Sequence, residues 1–289
     1  MPNAVEPPTE SPTRLADAYE LLADGDGASW RPLAGGTDLM VQMTGEIGEP
    51  PVRIIDVWGI DELRGIELAD GVISIGALTT YAELRRSREV AEVVPALAAA
   101  SATIGAAQIQ NRGTVGGNVI NASPAGDTLP VLLAVGAEMV LGSARGERVV
   151  AADDFWPSYR TTARRDDELL LRIRIPAVAD RHVRFRKVGT RRAQAISKVV
   201  MALAWRSSDD SPWADVRLAL GSVAATTVRA RAAEAAIEGR RPDRETADAA
   251  TAALVDEIVP IDDVRSTADY RRAVAGRVLH RLIRDAGGW

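Results

Sequence analysis

Residues 114–127, "TVGGNVINASPAGD", place two adjacent glycines, a run of small polar residues and one carboxylate close together. A second pair, Gly35 and Gly36, follows "WRPLA" and precedes Thr37 and Asp38. Successive amides in a glycine-rich turn can form an anion-binding nest, and glycine lets the backbone approach a ligand closely. Either pair alone is better explained as a simple tight turn, and neither is a G-x-G-x-x-G or P-loop motif. Together they predict a pyrophosphate that is held from both sides.

Asp127 closes the first stretch with a carboxylate a short distance beyond the predicted phosphate site. At that distance a carboxylate can accept hydrogen bonds from ribose hydroxyls, as the acidic residue of Rossmann sites does. The same residue stands just before "TLPVLLAV", so it can also cap a helix. The two roles are compatible, and the sequence predicts both.

Composition narrows the class of protein. The chain has 289 residues, enough for one large domain or two to three modest ones, and 46% of them are apolar. The net charge of −5, with acidic and basic residues interspersed, argues against a nucleic-acid surface. We find no apolar run of the roughly 20 residues that a membrane span needs. The polar, proline-rich start, "MPNAVEPPTESPTR", lacks a signal-peptide core and predicts a cytoplasmic protein.

The chain contains no cysteine, so it cannot itself hold a disulfide or ligate an iron–sulfur cluster through thiolates. Its two histidines, His182 and His280, show no metal-ligand spacing, and no G-x-S-x-G elbow supports a serine hydrolase. Any redox chemistry therefore requires a bound cofactor.

The order of predicted elements changes near residue 178. Up to residue 177, strands and helices mix in two lobes of about 1–57 and 58–177, and "VAEVVPALAAASATIG" predicts one long helix. From residue 178 to 289, three strand segments come first and three helices follow, at 226–238, 244–258 and 267–285. Strands followed by helices without alternation predict a separate α+β domain.

The two glycine segments, "LAGGTDLMVQM" and "QIQNRGTVGGNVINASPAGDTLPVLLA", resemble the FAD motifs of the flavoprotein (medium) subunit of the molybdenum hydroxylases. This family includes xanthine dehydrogenase and carbon monoxide dehydrogenase. "ELLLRIRIP" and "FRKVGTRRAQAISKV" follow in the family's order, so the resemblance covers nearly the whole chain. It implies an α+β fold: a two-lobed PCMH-type FAD-binding domain, then a C-terminal α+β domain with a three-stranded antiparallel sheet and three helices.

The resemblance also implies which residues contact FAD. Asp127 would hold the adenosine ribose with Asn121 nearby, Ile104 and Leu170 would lie beside the flavin ring, and Lys187 would lie near its polar edge. The diphosphate would be held by two groups of residues, Pro32, Leu33, Ala34, Gly35, Gly36, Thr37, Asp38 and Leu39 in the first motif and Thr114, Val115, Gly116, Gly117 and Asn118 in the second.

The chain departs from the family pattern at two positions. Gln110 stands where the family commonly has arginine, and Ile104 stands where some relatives place an aromatic residue against the flavin, with Phe185 the nearest aromatic candidate. The basic run "RFRKVGTRR" is compatible with a solvated face. A cation near flavin N1 and the C2 carbonyl would, however, tune the cofactor, and Lys187 is the candidate.

By the resemblance, this chain transfers electrons, and no catalytic residue for hydroxylation is expected on it. A molybdopterin subunit would oxidise the substrate, and a [2Fe–2S] subunit would pass the electrons to FAD. An acceptor such as NAD, quinone or oxygen would then receive them, within a dimer of heterotrimers. "RRAQAIS" favours xanthine or another heteroaromatic as substrate. The alternatives are a self-contained FAD-dependent reductase or oxidase, and an assembly subunit without cofactor.

Overall fold

The computed structural model describes residues 7–23, 30–43, 50–191, 194–208 and 211–289. Arg192 and Ala193, within "RRAQAIS", lie outside the described residues. The described part of the chain forms three β-sheets with helices packed on them, one sheet in each predicted lobe and one in the C-terminal region.

The first lobe is a small sheet of parallel strands with two helices. The central strand β3 pairs in parallel with both β1 and β2, in the order β1-β3-β2. Ile55 of β3 and Ala18 of α1 are fully buried, because they pack in one core under the sheet. The elements are β1 Thr9–Glu10, α1 Leu15–Ala23, β2 Trp30–Leu33, α2 Leu39–Met43 and β3 Arg53–Asp56, followed by a short 3₁₀ turn at Asp61–Leu63.

The second lobe is an antiparallel five-stranded sheet in the order β4-β5-β8-β6-β7, with short helices on one face. The predicted long alanine-rich helix is wrong: Val94 has non-helical backbone angles, and Pro95 begins a separate helix because it has no amide hydrogen to continue the first. The strands are β4 Ile66–Ala69, β5 Val72–Gly76, β6 Glu138–Ser143, β7 Gly146–Ala151 and β8 Leu169–Pro176. The helices are α3 Tyr81–Arg86, α4 Arg88–Val93, α5 Pro95–Ser101, α6 Ala107–Arg112, α7 Val115–Asn121, α8 Leu129–Ala134 and α9 Ala152–Phe155.

The C-terminal sheet has four antiparallel strands in the order β12-β11-β10-β9, and not the three predicted. The fourth strand, Val228–Arg229, is too short to give a sequence signal and lies within the helix predicted at 226–238. The elements are β9 Arg181–Val188, β10 Val199–Arg206, β11 Ala214–Gly221, β12 Val228–Arg229, α10 Arg231–Ile237, α11 Arg244–Glu257 and α12 Ala268–Gly287.

Strand β10 is buried on both faces and joins two cores. Ala202 and Ala204 pack into the core of the second lobe, beneath α8. Met201 and Leu203 point the other way, into the core formed with α10, α11 and α12, since successive strand residues face opposite sides. One face of the C-terminal sheet therefore packs on the second lobe, and the other face packs on the three C-terminal helices.

Candidate functional site

A cleft lies between the first lobe, helix α7 and the start of strand β8. Its empty volume is about 890 Å³ including its open mouth. Most of the residues predicted to hold FAD line it, namely Pro32, Ala34, Gly35, Gly36, Thr37, Asp38, Leu39, Thr114, Gly116, Gly117, Asn118, Asn121 and Leu170.

The first glycine turn offers free backbone donors to this cleft. Within the described ranges, the backbone amides of residues 35–38 donate no hydrogen bond to the protein. Gly36 has φ of +76°, which favours glycine. The amides that follow β2 are thus available to an anion, as the nest hypothesis requires.

Gly35 has a different reason to be glycine. A Cβ there would lie 1.8 Å from the carbonyl oxygen of Arg112, on helix α6 of the second lobe. The turn packs directly on that backbone. One glycine of the pair therefore brings the two lobes together, and the other allows the turn.

The second glycine pair is not a turn, so that part of the prediction is wrong. Gly116 and Gly117 lie in the first turn of α7, and Thr114 caps the helix by accepting from the Gly117 amide at 3.0 Å. The Val115 and Gly116 amides donate to Thr79 and Ala77 carbonyls. Because these donors are already used, only the first segment provides a nest of free amides.

Asp38 joins the two segments through a polar chain. Asn121 Nδ2 donates to its carboxylate at 3.1 Å, and the Arg160 guanidinium donates to Asn121 Oδ1 at 3.0 Å. Burial raises the pKa of the Asp38 carboxyl above its usual value, and Arg160 and Asn121 oppose that rise. The carboxylate lies in the same cleft as the free amides, which makes it sensitive to any anion bound there.

Asp127 is held in a buried cluster next to the cleft rather than in its lining. Its carboxylate accepts from Lys187 Nζ at 2.5 Å, from Thr103 at 3.2 Å and from the hydroxyl of Ser197. Thr128, and not Asp127, occupies the N-cap of α8, so the predicted capping role is wrong. Burial raises the pKa of the Asp127 carboxyl, and the Lys187 ammonium counteracts this most strongly.

Some residues predicted to contact FAD lie outside the cleft lining. Val115 is fully buried in the core of the second lobe, so its side chain is a packing residue. Ile104 adjoins the Asp127 cluster through Thr103, whose carbonyl accepts from Lys187 at 3.2 Å. The predicted residues outside the lining are Leu33, Ile104, Val115, Asp127 and Lys187.

The two departures from the family pattern have structural partners. Gln110 is buried, and its side-chain oxygen accepts from the guanidinium of Arg85, so a cation stands beside this position after all. Its amide nitrogen donates to the Ile104 carbonyl at 3.0 Å. Phe185 packs on the core of the second lobe, two residues before Lys187 on β9.

The polar side chains of the cleft that the sequence did not predict include Arg31, Tyr81 and Arg164. Burial lowers the pKa of the Arg164 guanidinium, and the nearby Arg31 lowers it further. The guanidinium is held in place because it donates to the carbonyls of Arg165 and Glu168. Two cations at one cleft would favour an anionic ligand. Neither arginine lies in a motif, so no sequence signal marks them.

The donor set fits FAD. Free amides and two arginines suit a diphosphate, and Leu63, Leu78 and Leu170 provide apolar walls. Neither histidine lines the cleft: His182 stacks on Trp205, and His280 contacts Asp248 at 3.1 Å. In the described part of the chain, no cluster of three or more His, Asp and Glu residues could hold a metal ion.

Comparison with known proteins agrees with this site. Residues 6–178 match the family described as "FAD binding domain in molybdopterin dehydrogenase", and residues 184–286 match "CO dehydrogenase flavoprotein C-terminal domain". The chain belongs to this family of flavoprotein subunits of molybdenum hydroxylases.

Two relatives and one solved structure match almost the full length. The carbon monoxide dehydrogenase medium chain of Hydrogenophaga pseudoflava is 31% identical, covering 96% of this chain and 95% of its own. The xanthine dehydrogenase FAD-binding subunit of Escherichia coli O157:H7 is also 31% identical, covering 95% of both chains. A solved structure of carbon monoxide dehydrogenase from Hydrogenophaga pseudoflava, which lacks the Mo-pyranopterin moiety, superposes with a TM-score of 0.90 at 33% identity and 96% coverage of each chain.

These findings confirm the fold class, apart from the strand count, and the predicted FAD cofactor. They also confirm the predicted class of oxidoreductase subunit. Across the described residues, no helix is long and apolar enough to cross a membrane.

Proposed function

We propose that this subunit receives electrons from [2Fe–2S] clusters of a partner subunit and passes them through FAD to an external acceptor such as NAD, quinone or oxygen. The observation that supports this most directly is the row of free amides at Gly35, Gly36, Thr37 and Asp38, within a cleft that also contains Arg31. Bound FAD supplies the redox chemistry, and the protein supplies binding, orientation and electrostatics.

The first glycine turn is the proposed diphosphate site. Amides without acceptors are suited to phosphate oxygens, and the Arg31 and Arg164 side chains compensate the charge. Gly117 and Asn118 contribute a close backbone surface and a side-chain amide from the other lobe, in place of a second nest.

Asp127 and Lys187 must face the same part of the cofactor. Their charged atoms are 2.5 Å apart, whereas the adenosine ribose and the flavin ring of FAD are separated by the diphosphate and the ribityl chain. For a cofactor bound in an extended conformation, Asp127 at the adenosine ribose and Lys187 at the flavin ring therefore cannot both be correct. Ile104 adjoins the pair through Thr103. We therefore assign both residues to the flavin side, with Ile104, and withdraw Asp127 from the adenosine ribose.

Electrons must reach this chain from outside. It has no cysteine to ligate a cluster, and the described cleft contains no histidine that could tether a flavin or act as a general base. A partner that carries the clusters and another that carries molybdopterin supply what is missing. We propose a dimer of such heterotrimers in the cytoplasm.

The substrate of the assembly is proposed to be xanthine or another heteroaromatic, on the strength of "RRAQAIS". Overall identity does not decide this, since the relatives named for carbon monoxide and for xanthine are both 31% identical.

The test uses the native complex before and after removal of its flavin. Acid precipitation should release FAD, and not FMN, into the supernatant, because no tether is available. The flavin-free complex should still bleach its cluster absorbance when substrate is added but should no longer reduce the acceptor, and FAD should restore that step.

Two results would support the alternatives. A self-contained flavoenzyme would oxidise an organic substrate as a lone chain with FAD. An assembly subunit would bind no flavin, and its removal from the purified complex would leave acceptor reduction unchanged.

A further inference from the structure

Tyr81 stands at the junction of the two glycine segments. It is the first residue of α3, and its amide donates to the Gly113 carbonyl at 3.1 Å. Gly113 lies against its ring, where a Cβ would be 2.7 Å from Cε2, and Gly113 in turn packs against Gly35. Thr80, the preceding residue, forms a bridge with Thr114. The ring is therefore fixed between the free amides of the first turn and the capped end of α7.

The Tyr81 hydroxyl has no hydrogen-bond partner within the described residues. Only 4% of the residue is exposed, and it lines the cleft. The hydroxyl oxygen is not fully buried, so it faces the open space of the cleft. Neither neighbouring carboxylate accepts from it: Asp38 accepts from Asn121, and Asp127 accepts from Lys187, Thr103 and Ser197.

The hydroxyl is held in its protonated form. Burial raises the pKa of Tyr81, and the charges of Asp38 and Asp127 raise it further. A neutral phenol is a good donor to an anionic oxygen. An anionic ligand in the cleft would provide the acceptor that the described residues do not.

We propose that the Tyr81 hydroxyl donates a hydrogen bond to a diphosphate oxygen of bound FAD, as the side-chain counterpart of the free amides of residues 35–38. This rests on the proposed placement of the diphosphate at the first glycine turn. Tyr81 is then a residue that positions the phosphate between the two lobes.

The test compares Tyr81→Phe with the wild-type chain, both freed of flavin and titrated with FAD, ADP and riboflavin. A hydrogen bond to a charged group contributes enough for roughly ten- to a hundredfold in affinity. We expect that loss for FAD and for ADP, and no change for riboflavin, which has no phosphate. Tyr270→Phe, at an exposed tyrosine of the C-terminal region, is the matched control and should bind all three like the wild type.

Thermal unfolding of the flavin-free variant separates binding from folding. Tyr81→Phe keeps the ring and removes only the unpaired hydroxyl, so its unfolding temperature should equal or exceed that of the wild type. If Tyr81→Phe leaves the FAD and ADP affinities unchanged, the proposed role of Tyr81 is wrong, and the placement of the diphosphate is not affected. Equal losses for FAD and riboflavin would place the hydroxyl at the flavin end and overturn the proposal. A wild-type chain that binds FAD but not ADP would overturn the diphosphate placement itself.

Discussion

Asp127 and Lys187 form a buried ion pair, with 6% and 10% of their side chains exposed. Removing one partner of such a pair costs about 3–5 kcal/mol, because the other charge stays buried and uncompensated. Asp127→Ala should therefore lose both stability, by about that amount, and FAD affinity, by about ten- to a hundredfold. Urea unfolding of the flavin-free chain and FAD titration measure the two effects.

The matched control is the double variant Asp127→Asn, Lys187→Met, which removes both charges. Its stability should be closer to that of the wild type than that of either single variant, since no buried charge is left alone. Additive single effects would show that the two residues act independently.

We expect Asp38 to make FAD binding depend on pH. Its pKa is raised by burial, so the ionised form is disfavoured in the fold. The folded chain then binds more protons than the unfolded chain between the ordinary and the raised pKa, and this contribution to stability falls as pH rises through that window. An ionised Asp38 would also repel a bound diphosphate.

FAD affinity should therefore increase as pH falls through the raised pKa of Asp38. We expect an increase of about tenfold, which corresponds to roughly 1.4 kcal/mol of binding free energy. Asp38→Asn should bind FAD with a nearly constant affinity over the same range. If the wild type and the variant show the same pH profile, Asp38 does not face the phosphates.

Residue type, more than position, decided which parts of the site could be predicted. Gly36 belongs to a pair of adjacent glycines, and Asp127 is the one carboxylate in residues 114–127, so each indicates a local function in the sequence. Tyr81 begins an ordinary capped helix, and Ser197 reaches Asp127 only through the fold. Contacts of this kind depend on tertiary packing, which no local pattern encodes.

At the scale of elements, Gly35 and Gly117, one glycine from each pair, lead to opposite predictions. Gly35→Ala would drive a Cβ into the Arg112 backbone at 1.8 Å, and overpacking of this kind costs about 1–3 kcal/mol or more. We expect it to lower the unfolding temperature and to separate the two lobes, with FAD binding lost as a consequence.

Gly117→Ala is the contrasting variant. Its Cβ would meet only the Thr114 hydroxyl, at 2.9 Å, and that side chain can rotate. The lost cap of about 1 kcal/mol is offset by the better helix propensity of alanine, worth about the same. The variant should fold normally and bind FAD more weakly. Normal stability of Gly35→Ala would contradict this account.

Elements with strong periodic or apolar patterns were predicted well, and short ones were not. The three long strands after residue 178 and the last two helices are where the sequence predicts them. The two-residue β12 is below the length at which a pattern exists, and α7 contains two glycines that disfavour a helix. The Thr114 cap and the packing of Gly116 on Ala77 outweigh that local preference.

At the scale of the whole molecule, the lone chain should be redox-active but unable to hydroxylate. Co-purification from the native host should yield two further chains with iron, acid-labile sulfide and molybdenum. A stable partnership of this kind usually buries well over about 1,000 Å². The isolated subunit should show no activity on purines, aldehydes or heteroaromatics, although slow NADH–dye turnover is compatible with it.

A monomer from that host that oxidises an organic substrate without other chains would contradict the subunit assignment. The chain has no cysteine, so no cluster can be ligated by thiolates of this chain.

The shared strand β10 has a consequence for protein engineering. Recombination between relatives is often attempted at the linker between two domains, near residue 178 in this chain. Here such a crossover would separate Asp127 from Ser197 and Lys187, and Pro124 from the Ser222 amide that donates to it at 2.7 Å. It would also replace one side of a core that contains Ala202 and Ala219. A chimera must therefore take β10, the residues that pack on it and the Asp127 cluster from the same parent. The two halves of the chain can then be exchanged only together.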